Sequence, residues 1–200
     1  MLNRNHQNLA LPMEKINITK NSELMEIIIR QENESDHHAV FGLIEKAFEK
    51  LEFSDHLEHF LVQRLRKSTA FVPELSIVAE IDNTIVGHIL LTKLKIKNGP
   101  DEYDSLALAP VSVLPQYQDK GIGGILIQEA HKKARDLGYR SIVLLGHEKY
   151  YPKFGYKQAD SFGIELPFDV PKENCMAIEL VENGLDGVYG TVEYPKEFGE

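Results

Sequence analysis

The sequence predicts a single α/β domain built on a mixed sheet, and three observations carry that reading. Apolar residues keep a helical rhythm through residues 37–65, turn to strand-like runs through 75–114, and return to a helical rhythm through 121–137. Two runs rich in Ile, Leu and Val meet at Asp82-Asn83, which is a hairpin signal. A strand, a helix and a second strand follow one another between residues 106 and 145, and the right-handed crossover rule makes those two strands parallel neighbours.

Taken in order, residues 1–24 have no clear periodicity and are expected to form a flexible extension. The run Met25-Glu26-Ile27-Ile28-Ile29-Arg30 reads as the first strand. Asp36 is placed to cap a helix over 37–50, where Val40, Leu43, Ile44, Ala47 and Phe48 recur at three- and four-residue spacings. Ser54 or Asp55 opens a second helix, with Leu57, Phe60, Leu61 and Leu65 on its inner face. Residues 75–81 and 85–96 make the hairpin, Asn98-Gly99-Pro100 a further turn, and 106–114 a third strand. The helix over 121–137 presents Ile122, Ile125, Leu126, Ala130, Ala134 and Leu137 inward and ends at Gly138, a residue suited to a left-handed cap. The short apolar run over 141–145 has the look of a buried strand, a short helix falls near 150–154, and 164–166 and 176–180 are the last strands. The domain is expected to span 25–182. Tyr189, Val192, Tyr194, Pro195 and Phe198 are too many large side chains for a free tail, so 183–200 is expected to pack on the domain or on a second copy in a homodimer.

Composition narrows the function. Hydrophobic residues make up 42% of the 200, enough for a sizeable core. Asp and Glu outnumber Lys and Arg by 31 to 22, a net charge of -9 that repels phosphate backbones and anionic lipid. Neither nucleic acid nor a membrane is therefore an expected partner. Cys175 is the sole cysteine, so no intrachain disulfide framework exists, and a reducing cytoplasm is the expected location. No apolar run approaches the roughly 18 residues of a spanning helix, and the first residues lack the apolar core of a signal peptide. His56-x-x-His59, near Glu52 and Glu58, is an incomplete ligand set and reads as exposed helix surface, so no metal is expected. Lys132, Lys133 and Arg135 read as a solvated basic face.

The chemistry-bearing stretch runs Val111-Ser112-Val113-Leu114-Pro115-Gln116-Tyr117-Gln118-Asp119-Lys120-Gly121-Ile122-Gly123-Gly124. A strand ends, a short loop follows, and glycines open a helix. Glycine lets the first backbone N–H groups point outward unobstructed, and the helix start carries partial positive charge, so the place suits a phosphate or diphosphate. Lys120 adds a full charge beside it. The P-loop string is absent, and the dinucleotide fingerprint fails because Leu126 stands where its third glycine belongs. What fits is Gln118-x-x-Gly121-x-Gly123, which resembles the acetyl-CoA signature of the GNAT N-acetyltransferase superfamily. Downstream, Tyr151-Pro152-Lys153-Phe154-Gly155-Tyr156 resembles that family's Tyr-x-x-x-Gly-Phe/Tyr segment, and the element order over about 26–180 is similar throughout.

The resemblance implies a mostly antiparallel sheet with one splayed parallel pair, flanked by helices. It also implies acetyl-CoA as co-substrate and direct transfer of the acetyl group to a primary amine of an acceptor. Pro110 would mark a bulge that opens the splay. By the same resemblance pantetheine pairs with the backbone of Val111 and Val113. Val111, Ser112, Val113, Gln118, Asp119, Lys120, Gly121, Ile122, Gly123, Gly124, Tyr151 and Phe154 then bind the cofactor. Tyr151, four residues before Gly155, is the general acid for the departing thiolate, and the backbone N–H of Val113 is the oxyanion donor. On a short helix Tyr150 points about 100° away from Tyr151, so only one of the two faces the sulfur. The base is not readable from the sequence; His147, Glu148 and His88 all fall within the region. Cys175 has no activating neighbour and reads as a small core residue. Two other readings share the motifs: an acyl-CoA-binding sensor without catalysis, and an acyltransferase for another acyl group or a hydroxyl acceptor.

Overall fold

The computed structural model describes residues 14–20, 23–52 and 54–199. Among these residues ten strands form one sheet: β1 (Glu14–Lys20), β2 (Glu23–Gln31), β3 (Phe71–Ile81), β4 (Thr84–Asn98), β5 (Asp101–Val113), β6 (Ser141–Leu145), β7 (Lys157–Gln158), β8 (Ile164–Glu165), β9 (Cys175–Glu179) and β10 (Gly190–Glu193). Their order is β1-β2-β3-β4-β5-β6-β9-β7, with β10 joined to β4 and to β8. Pairing is antiparallel except for β5 with β6 and β8 with β10. Among the described residues three α-helices flank the sheet: α1 (His37–Phe48), α2 (Glu58–Leu65) and α3 (Ile122–Asp136). The mixed, mostly antiparallel single domain expected from the sequence is the fold observed.

Alternation along the strands assigns the two faces. Ile77, Ala79, Ile89, Leu91, Leu106 and Leu108 pack with Ile122, Leu126, Ile127 and Ala130 of α3. Their neighbours in sequence, Val78 and Leu90, point the other way onto Val40, Leu43 and Ile44 of α1 and Val62 and Leu65 of α2. Further along that second face Leu94, Ile96, Ala107, Val143 and Ala177 meet Val192, Tyr194 and Phe198 of the C-terminal stretch. β10 lies beside the last residues of β4, Thr191 opposite Lys97 and Glu193 opposite Lys95, where β3 no longer reaches.

The second face also holds a buried polar chain. The Glu32 carboxylate accepts from Arg66 Nη2 and Nε and, at 2.6 Å, from Ser76 Oγ. Ser76 spends its proton on Glu32, so its oxygen accepts from His88 Nε2 at 3.1 Å, leaving Nδ1 as the unprotonated nitrogen of a fully buried ring. Burial pulls His88 down to about 4, so the ring is neutral at pH 7.

Five sequence-based expectations change. The stretch 1–24 is not wholly an extension, because Glu14–Lys20 forms β1 and pairs along β2; residues 1–13 and 21–22 lie outside the described ones. Alternating apolar Ile16 and Ile18 in a polar edge strand give too weak a period to read. In α2 the inner face is His59, Val62 and Leu65, while Phe60 and Leu57 are exposed; His59 is buried edge-on against Phe41 rather than exposed. Leu137 caps α3 on the outside instead of packing inward. Asp36 precedes α1, but its carboxylate is spent on Arg30 and on the amide of Asn33.

Candidate active site

The candidate site opens where β5 and β6 part. The two strands pair only at Leu106–Ile142 and Ala107–Val143. Directly after, β5 bulges: Ala109 and Pro110 together stand opposite Leu90, and the register with β4 moves from Leu108–Leu91 to Val111–Ile89. Beyond the bulge the Leu114 amide donates to Val86 O at 2.9 Å. Antiparallel partners alternate between pairs that exchange hydrogen bonds and pairs that do not. Ser112 therefore faces β4 with its backbone, and Val111 and Val113 turn their N–H and C=O toward the gap. Gln118 Nε2 already donates to Val113 O at 3.0 Å.

At the open end of the gap stands the start of α3. The loop reaches it through left-handed Asp119 (φ 59°) and Gly121 (φ 82°), and Gly121 occupies the N-cap position without a side chain to cap the helix. The first intrahelical donor is Ile125, to Gly121 O at 3.1 Å, so the amides before it are left for another acceptor. A Cβ on Gly123 would lie 2.9 Å from Tyr150 Oη and 3.8 Å from Val113 Cγ2; one on Gly124 would lie 3.3 Å from Phe154 Cε1. Both glycines thus make room for aromatic groups of the following segment as well as for outward N–H groups. Lys120 Nζ sits 5.0 Å from the centre of the Tyr117 ring.

The other wall is the end of β6. Gly146 is clamped by Asn174 through two hydrogen bonds, its N–H to Asn174 O and Asn174 Nδ2 to its own O, each 2.9 Å. Tyr151 opens a short 3-10 helix, Tyr151–Phe154, and lays its ring against Gly146. It is 8% exposed and meets Tyr150 and Tyr156 edge-on, with centroids 5.2 and 5.6 Å away. Burial, with Tyr150 beside it, raises its phenol well above the ordinary value, so it is a proton donor and not a phenolate at neutral pH. Tyr156 is fixed in turn by His131 Nε2 at 2.9 Å. Tyr150 and Tyr151 thus point apart, the first toward α3 and the second toward the end of β6.

The side chains considered for the base divide sharply. His147 is largely exposed, its Nδ1 3.4 Å from Glu148 Oε2. His88 lies inside the sheet face and has no solvent exposure. Cys175 is half-buried at the start of β9; burial raises its thiol, and Sγ lies 3.8 Å from Pro171 O. Among the described residues no group of three or more His, Cys, Asp or Glu side chains is disposed to hold a metal ion.

Residues 30–156 match the acetyltransferase (GNAT) family. The chain belongs to that family. Among curated proteins, this GNAT chain is 33% identical over 146 residues to the uncharacterized N-acetyltransferase YjhQ of Escherichia coli strain K12, covering 69% of this chain and 81% of that one. It is 24% identical over 172 residues to YhbS of the same strain, covering 86% and 98%. Among solved structures, a GNAT family acetyltransferase from Brucella melitensis in complex with acetyl-CoA is 33% identical, with a TM-score of 0.71 over 86% of this chain and 97% of that one. Escherichia coli YhbS in complex with CoA superposes with a TM-score of 0.80 over 91% and 97%, at 22% identity, a likeness of fold.

Two members of this constellation were not legible in the GNAT chain's sequence. Asn174 lies 28 residues from the glycine it clamps, and nothing local marks it. Gly146 carries a weak signal, a glycine ending an apolar strand a few residues before paired tyrosines.

Proposed function

We propose that this protein transfers an acetyl group from acetyl-CoA to a primary amine, in a ternary complex without a covalent enzyme intermediate. The observation that carries the reading is the gap between β5 and β6, edged by the backbone groups of Val111 and Val113 and ending at the uncapped start of α3. A pantetheine arm has the extended shape and amide groups to pair with such an edge, and a diphosphate suits the helix start. The family and the acetyl-CoA complex of the Brucella melitensis relative point to the same ligand.

In this reading the amine nitrogen attacks the thioester carbonyl at the bulge end of the gap, and the oxyanion that forms takes a hydrogen bond from a backbone N–H exposed there; Val113, whose side chain lies by Gly123, stands at the diphosphate end instead and pairs with the arm. The nitrogen sheds a proton to solvent water as the C–S bond breaks. Tyr151 gives its proton to the thiolate and regains one from solvent. Gln118 ties the loop to the carbonyl of Val113 near the start of α3.

The test is turnover of acetyl-CoA over a panel of amines, followed by free thiol release, with Tyr151→Phe beside wild type. The substitution keeps the ring against Gly146 and removes one hydroxyl. We expect kcat to fall about ten- to a thousand-fold. The acetyl-CoA dissociation constant should stay within about tenfold, the scale of one hydrogen bond. Full turnover in Tyr151→Phe removes it as the acid. Binding of acetyl-CoA without turnover of any amine in the panel turns the reading toward a sensor.

A further inference from the structure

We propose that Tyr150 and Lys153 are the side-chain half of the cofactor's diphosphate subsite, closing over Gly123 and discriminating acyl-CoA from shorter pantetheine thioesters. The inference rests on the reading of the gap as an acyl-CoA site. It adds two residues that Gln118-x-x-Gly121-x-Gly123 does not contain.

The geometry comes from the missing side chain of Gly123. Tyr150 Oη lies 2.9 Å from the point where a Cβ would stand, and Val113 Cγ2 lies 3.8 Å from the same point. The hydroxyl thus meets the first turn of α3 close to the end of β5. It has no hydrogen-bond partner among the described residues. Half-burial raises its phenol, so it remains an O–H donor at neutral pH.

Lys153 supplies the charge. Its Nζ lies 3.8 Å from the centre of the Tyr150 ring and 5.0 Å from that of Phe154, and no carboxylate among the described residues pairs with it. Phe154 meets Tyr150 edge-on at 5.4 Å and leans on Gly124, so the ammonium stands on a braced aromatic ledge beside the helix start. The O–H donor lies at the start of α3, whose first turn has no side-chain cap, and the ammonium stands over the ring that carries it. That set suits a diphosphate and offers nothing to an uncharged pantetheine end.

The experiment compares binding of two ligands, CoA and pantetheine, to wild type, Tyr150→Phe, Lys153→Met and Gly123→Glu. Calorimetry serves for CoA and ligand-observed NMR for the weaker pantetheine. We expect Tyr150→Phe and Lys153→Met each to weaken CoA about three- to tenfold, with pantetheine affinity unchanged. The Lys153→Met loss should shrink as salt rises. Equal weakening of both ligands, or none of either, overturns the proposal. Gly123→Glu tells the placement of the cofactor apart from the role of Tyr150 and Lys153. If CoA binds a folded Gly123→Glu protein as it binds wild type, the placement of the cofactor itself is wrong. If Gly123→Glu abolishes CoA binding while the other two variants bind normally, only the role of Tyr150 and Lys153 falls.

Discussion

A methyl group at position 146 would stand 2.3 Å from Tyr151 Cε2, 2.9 Å from its Cδ2 and 3.1 Å from Leu144 Cδ1. The ring has nowhere to retreat, since Tyr150 and Tyr156 brace its other sides. Gly146 cannot retreat either, because Asn174 holds both its N–H and its C=O. Gly146→Ala should therefore cost about 1–3 kcal/mol of stability, the usual scale of overpacking. It should also lower turnover with acetyl-CoA, because the phenol is pushed off its position. Thermal unfolding with an activity assay checks both, and an alanine variant that keeps both wild-type values says the ring has free room. The two tyrosines mark where residue-level reading stops. Adjacent positions on a short helix must diverge, which the sequence states plainly, but which of them meets α3 depends on how the segment Tyr151–Phe154 is rotated by Phe154 on Gly124 and Tyr151 on Gly146.

Among the elements, β10 starts on a glycine that no other residue fits. Gly190 has φ 130°, and a Cβ there would fall 2.2 Å from Lys97 O and 2.7 Å from its carbonyl carbon. Gly190→Ala should strip β10 from β4 and cost about 2 kcal/mol or more, from backbone strain and lost packing of Val192 together. Hydrogen exchange at Lys95 and Lys97 is the local readout, and deletion of residues 186–200 should lower the melting temperature further. Unaltered exchange and melting in both would mean the strand adds nothing. Long, strongly patterned elements were legible beforehand: β3, β4 and α3 bury enough apolar residues at a steady period to declare themselves. β1, β7 and β10 were not, because a strand of two to seven residues is defined by its neighbours' hydrogen bonds and not by its own pattern. The inner face of α2 misled for a different reason. Phe60 is the more hydrophobic residue, but His59 is the one that the packing against Phe41 brings inside.

For the whole molecule, the buried histidines set the response to acid. Burial holds His88 and His131 down at about 4, against 6.5 for a free side chain. Both are neutral in the fold at pH 7, and as pH falls below 6.5 the unfolded chain takes up protons that the folded chain refuses. Stability should therefore drop as pH falls from 6.5 to about 4, each histidine contributing a slope of up to about 1.4 kcal/mol per pH unit. Glu32 acts in the same direction at lower pH. Burial opposes its ionisation, but His88, Arg66 and Ser76 hold it below 4.5, so its contribution is lost as pH falls through that lower range. Urea unfolding at pH 7, 5.5 and 4.5 reads the slope, and His131→Gln should flatten part of it. An equal slope in that variant would acquit His131. The order in which the chain is made gives the C-terminal strand another significance. The edge of β4 at Ile96 waits for Val192, 96 positions later. At roughly 5–20 residues per second of synthesis, that leaves an unpaired, apolar strand edge open for about 5–20 s on each ribosome. Crowded polysomes place such edges side by side, so a slow or stalled final stretch of translation is the point at which nascent copies of this chain are most prone to pair with each other instead of with themselves.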